Sequence, residues 1–236
     1  MRTKQKIRLC VDFVMVILMP CLMAYAFMGG KLHEWLGLAM FLLFFLHHLL
    51  NASWHRALGK GSYTANRILG TVTNLLLLLA MVFLAVSSVI LSGYVPWNIK
   101  GSMAVARLMH LALSYWVFVL ASFHLGIYWN RIPVARKVTA DKKISALLRL
   151  TFLLYAAYGV HVFIKRQFAL SMFLQVQFAF LDYGEPVVLF FMEYFAVMCL
   201  SAVIGYYMSA LLHRLNRSRG HSPGRVKKYI FEKEEL

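Results

Sequence analysis

Six apolar runs fix what this chain can fold into: roughly 9–28, 34–54, 69–93, 104–128, 146–164 and 186–212. Each is close to the ~20 residues that carry an α-helix across the hydrocarbon of a bilayer. In that solvent the backbone must satisfy its own hydrogen bonds, which leaves helices or closed barrels. The expected fold is all-α: a polytopic membrane bundle of about six transmembrane helices. Short connections leave no separate soluble domain. One membrane domain is expected over 1–212, followed by a polar, mobile cytoplasmic tail over 213–236.

The net charge of +16 raises the question of a nucleic-acid partner, and the placement of the charge argues against one. Lys and Arg number four in Met1–Arg8, three in His55–Arg67, six in Asn130–Arg149 and seven after Leu212, against five in the alternate connections. That alternation is the positive-inside pattern, and it puts both termini in the cytoplasm. The basic residues then read as topology signals beside anionic lipid. Trp35 and Trp97 fall near outer boundaries, and Trp54 and Trp129 near inner ones, as an interfacial aromatic belt requires. The N-terminus, MRTKQKIR followed by an apolar run and AYA, imitates a secretory signal. It is read here as an uncleaved first helix, because the run is long and contains Asp12 and Pro20. Cys10, Cys21 and Cys199 are isolated, with no CxxCH and no paired spacing; they read as packing residues. Residues 167–185 are apolar but too short of a charge-free span, and read as an outer interfacial or re-entrant segment before the last helix.

Histidines punctuate two of the runs. His33 and His47 are fourteen residues apart, as are His110 and His124. At about 100° and 1.5 Å per residue, fourteen steps return to within about 40° of the starting direction, some 21 Å further along. The two runs are separated by one span and are therefore parallel. Both pairs are offset by 77 residues, so His33 lies level with His110 and His47 with His124. Two imidazoles at one depth on facing helices suit the two axial positions of a haem iron, and two such levels suit two b-type haems. His48 is an alternative to His47 at the inner level. A single membrane histidine more often hydrogen-bonds a neighbouring helix; it is the four-fold matched spacing that favours haem. Lys31 and Arg107 at the outer level, and Arg56, Arg67 and Arg131 at the inner, are candidate propionate partners as well as ordinary interfacial anchors. Thr73 and Ser87 repeat the fourteen-residue interval on the intervening helix. Glu193, with Asp182, Glu185 and His161, is the candidate quinone or proton site, since an ionisable group within a span is costly unless used; an internal ion pair is the plainer role for Glu193.

The segments HEWLGLAMFLLFFLHHLLN, RILGTVTNLLLLLAM, RLMHLALSYWVFVLASFHLGIYW and EPVVLFFMEY resemble the flavinylation-associated cytochrome family of bacterial membrane proteins. More distantly, the histidine interval resembles that of cytochrome b and ferric-reductase-like membrane proteins. The resemblance covers about residues 5–212. It implies a di-haem electron carrier of the bacterial cytoplasmic membrane, linking the quinone pool or an inner donor to an extracytosolic protein with covalently attached FMN. It carries the ligand role onto His33, His47, His110 and His124. No Asp-Gly-Ala-Ser/Thr stretch is present, so no covalent flavin is expected on this chain. Two other readings stay open: a haem subunit of a ferric- or sulfoxide-reductase-type complex, and a haem-free transporter with a histidine-lined path.

Overall fold

The computed structural model describes residues 3–94, 103–133, 135, 140–176 and 184–220, with the side chains of 217–220 left aside. The described residues are mainly helical, and no strand occurs among them. The helices are α1 (Thr3–Met23), α2 (Tyr25–Leu50), α3 (Ala52–Ala57), α4 (Ala65–Leu91), α5 (Met103–Tyr128), α6 (Lys142–Lys165), α7 (Phe168–Met172) and α8 (Val187–Gly220); a 3-10 turn, Trp129–Arg131, follows α5. Five of them, α2, α4, α5, α6 and α8, are long and apolar enough to cross a membrane. The chain is a polytopic membrane helical bundle. α1 falls outside those five; Lys4, Lys6, Arg8 and Asp12 crowd its first half.

Local chemistry sets the helix ends. Thr64 caps α4 by accepting from the Arg67 amide, and Asp141 caps α6 by accepting from the amides of Lys143 and Ile144 at 2.7 and 3.1 Å. The first apolar run does not stay one helix to residue 28, as the sequence suggests. α1 ends at Met23, and a helical turn follows before Gly29 breaks the path of α2 at φ +70°, ψ 165°. That backbone region is essentially reserved for glycine, so the Gly29-Gly30 pair ends the turn rather than the first span. At the other end of the chain α8 runs on to Gly220, past the expected span end at 212; residues 221–236 of the expected tail lie outside the described residues.

α5 and α8 form the spine of the bundle, with α4 against α5 and α6 against α8. Glycines let these backbones meet. A Cβ on Gly126 would lie 1.9 Å from the Ala202 carbonyl oxygen, one on Gly205 2.3 Å from that of Phe123, and one on Gly159 2.3 Å from that of Ala196. Lipid supplies no hydrophobic drive between helices, so such close small-residue packing carries the association. One buried cluster, including Tyr115, Phe118, Val162, Phe168, Tyr194 and Val197, fills the space among α5 to α8. The part of the 167–185 segment that is described turns back through a left-handed Gln167 (φ 53°) into α7. Phe168 is fully buried there, and the Trp116 indole donates to the Met172 carbonyl at 3.0 Å. Residues 177–183, Asp182 among them, lie outside the described residues.

α1 and α2 pack on each other beside this bundle, and α2 stands off from α5 at the backbone. Side chains close the gap at mid-height: Met40 of α2, Ala80 and Met81 of α4 and Val117 of α5 form a second buried cluster. Met40, Ala80 and Val117 each lie seven residues from the two positions that matter on their own helix: His33 and His47, Thr73 and Ser87, His110 and His124. An apolar rung therefore separates two polar levels.

Candidate functional site

At the outer level, His33 and His110 face each other across the gap between α2 and α5. Their ring centres are 6.0 Å apart and their planes are inclined at 69°. Tyr25 packs edge-on against His33 at 5.2 Å. Nδ1 of His33 is buried and has no hydrogen-bond partner. Nδ1 of His110 lies 3.4 Å from the Ser87 hydroxyl and 3.3 Å from that of Ser88, each of which also donates back to the Leu84 carbonyl. The serines thus orient the His110 ring from α4 through Nδ1. Glu34, next to His33, is engaged by the Ser92 hydroxyl at 2.8 Å.

At the inner level, the two neighbouring histidines diverge, as a step of about 100° around a helix requires. His47 Nδ1 meets Asp12 Oδ1 of α1 at 2.7 Å. His48 Nδ1 meets His55 Nε2 of α3 at 3.0 Å, with its ring against Phe44. On α5, His124 Nδ1 lies 2.9 Å from the side-chain amide of Asn74. That amide is itself surrounded by the Gly70 carbonyl, the Trp54 indole N–H and the Tyr128 hydroxyl. The amide can turn either way: its NH2 donates to a bare Nδ1, or its oxygen accepts from a protonated Nδ1, and only the second leaves Nε2 free to ligate a metal. His47, His48 and Asp12 are all close enough to act electrostatically on His124. Substituting Asn74 by Leu should leave a buried ring nitrogen unpaired, at a cost of about 1–3 kcal/mol, and thermal unfolding in detergent should register it as a lower midpoint.

The other candidates are sorted by the fold. Lys31, Arg107 and Arg56 are exposed. Arg131 lies with its guanidinium 4.6 Å from the centre of the Tyr128 ring, and Tyr128 packs at 4.7 Å on His124, so Arg131 stands closest to the inner level. Arg67 is taken up by its own loop, donating to the carbonyls of Ala57 and Ser62 and stacking on Tyr63. Glu193 is 1% exposed and accepts from Lys165 Nζ at 2.5 Å and Arg166 Nε at 2.6 Å, while Arg166 also donates to Glu185. The carboxylate is thereby an ion-pair tie between α8 and the end of α6, held between two cations. His161 is exposed and stacks on Tyr158 at 6.2 Å; the Tyr158 hydroxyl reaches Glu193 at 3.4 Å. Glu193→Gln should lower the unfolding midpoint, because Arg166 and Lys165 lose a buried anionic acceptor.

Reading the spacing alone misses several partners. Asp12, Asn74, Ser88 and His55 touch the histidines from other helices. Arg8 donates to the Leu50 carbonyl at the C-terminus of α2, and its Nε is buried without a partner. Nothing in the local sequence signals which helix will present these groups.

Scans against protein-family models, curated proteins and solved structures return no match. What the site holds must be argued from its geometry. Among the described residues, no three His, Cys, Asp or Glu side chains gather into a group able to hold a metal ion. A haem iron needs only two axial side chains, since the porphyrin supplies the remaining ligands. Two imidazoles bound to one metal through nitrogen bonds of about 2 Å each place their ring centres about 6 Å apart. The separation of His33 and His110 agrees with that figure. The buried, unpartnered nitrogen of His33 and the serine-held ring of His110 also suit a shared ligand.

Proposed function

We propose that this chain carries single electrons across the bacterial cytoplasmic membrane by holding two non-covalent b-type haems. The approach of His33 to His110 carries the reading, and the matched fourteen-residue intervals extend it to His47 and His124. Haem, held by His33 with His110 and by His47 with His124, would supply one-electron exchange. The chain's own groups do the rest. Ser87 and Ser88 hold the His110 ring, Asn74 holds that of His124, and Asp12 holds that of His47. Arg131, stacked on Tyr128 at the inner level, is the proposed partner of a propionate there. Met40, Ala80 and Val117 form an apolar partition between the levels.

The proposed partners rest on the resemblance of the histidine-bearing segments of α2 and α5, HEWLGLAMFLLFFLHHLLN and RLMHLALSYWVFVLASFHLGIYW. The proposed donor is the quinone pool or an inner-side reductant, and the proposed acceptor is an extracytosolic protein bearing covalent FMN. Reconstitution tests the transmembrane step. Proteoliposomes of the purified chain, with ferricyanide trapped inside and an impermeant reductant outside, should bleach the ferricyanide at least about tenfold faster than protein-free vesicles, and His124→Ala should remove the gain. Equal rates with and without protein would refute the proposal.

A further inference from the structure

The two histidine levels differ in what touches the far side of each ring. At the outer level the hydrogen-bonding contacts are neutral: hydroxyls at 3.4 and 3.3 Å from His110 Nδ1, and for His33 the Leu22 backbone, with its Nδ1 unpartnered. At the inner level Asp12 presents a carboxylate oxygen at 2.7 Å to His47 Nδ1. One helical turn earlier on α1, Arg8 donates to the Leu50 carbonyl of α2, three residues beyond His47. Two polar contacts thus strap α1 to this end of α2, and they fix where the carboxylate sits. The neighbouring His48 points instead to His55.

A carboxylate on the non-ligating nitrogen of a metal-bound histidine fixes the ring's tautomer and makes the opposite nitrogen a stronger donor. Stronger donation favours the more highly charged, oxidised iron. Resting on the functional reading above, we propose that Asp12 is a positioning residue. It selects His47 over His48 as the inner axial ligand, and it makes the inner haem the lower-potential one of the two. Electron flow from the inner level to the outer is then downhill. Two further charges act on ligand rings without hydrogen-bonding them: Glu34, bound by Ser92, acts on His33, and Arg131, stacked on Tyr128, acts on His124. Among the described residues, Asp12 alone presents a charged oxygen directly to a ring nitrogen.

The test is a redox titration of the purified full-length chain, followed by visible and EPR spectra, for the wild type, Asp12→Asn and Asp12→Glu. In Asp12→Asn the lower of two midpoints should rise enough to change the oxidised-to-reduced ratio at least tenfold, which is ~59 mV for one electron. The higher midpoint should stay in place, and Asp12→Glu should restore the wild-type value. If Asp12→Asn instead loses one haem, His48→Ala should retain both haems while His47→Ala loses the inner one. Midpoints that do not move, a shift confined to the component that His110→Ala removes, or haem loss in His48→Ala but not His47→Ala would overturn the proposal. A wild-type chain without haem would overturn the functional reading and this inference together. A two-haem chain whose Asp12→Asn variant keeps both potentials would overturn this inference alone.

Discussion

His110→Ala should abolish one of two bis-histidine haem signals and leave the other. His110 is a single imidazole on α5 facing His33 across the α2–α5 gap. Removing it strips one axial position, so the outer haem should be lost or turn high-spin. The inner level is separated from it by the Met40–Ala80–Val117 rung and should keep its low-spin spectrum. Haem content should fall by about half, and transmembrane electron transfer by at least about tenfold. Reduced-minus-oxidised spectra and pyridine haemochrome quantification measure both. The serines give a graded companion: Ser87→Ala with Ser88→Ala should retain the haem and shift its midpoint, because the ring is still present but no longer held at Nδ1.

Gly126→Leu should prevent stable assembly of the bundle, and Gly126→Ala should already weaken it. A Cβ at this position would lie 1.9 Å from the Ala202 carbonyl oxygen. The obstacle is helix backbone, which cannot swing aside as a flexible side chain can. Because Gly205 faces Phe123 in the reciprocal way, the α5–α8 crossing cannot open at one residue alone. Overpacking of this kind costs about 1–3 kcal/mol for a single methyl group, and more for a larger side chain. Gly37 is the control. A Cβ there meets nothing within 4 Å, so Gly37→Ala should be neutral or slightly stabilising through helix propensity. Thermal unfolding in detergent, with the yield of monodisperse protein, separates the two outcomes.

The helical architecture was legible because membrane solvent imposes it: a long apolar run has few alternatives. The shared depth of His33 and His110 was legible too, since depth along a helix is a linear function of residue number. Lateral relations were not. That Asp12 rather than a residue of α5 or α4 would meet His47, or that Asn74 would meet His124, depends on how helices rotate and slide against each other. Spacing within one helix carries no record of that. Arg67 illustrates the same limit, since its place near the inner boundary suggested an anion partner, yet carbonyls of its own turn hold it. Glu193 was visible as an ionisable group within a span. Its commitment to Lys165 and Arg166 required the end of α6 to meet the side of α8.

The most direct measurement is the haem content of the purified full-length chain. The account predicts a red protein with two acid-extractable b-type haems per chain, both six-coordinate and low-spin. A colourless chain would contradict it and return the four histidines to hydrogen-bonding or transport roles.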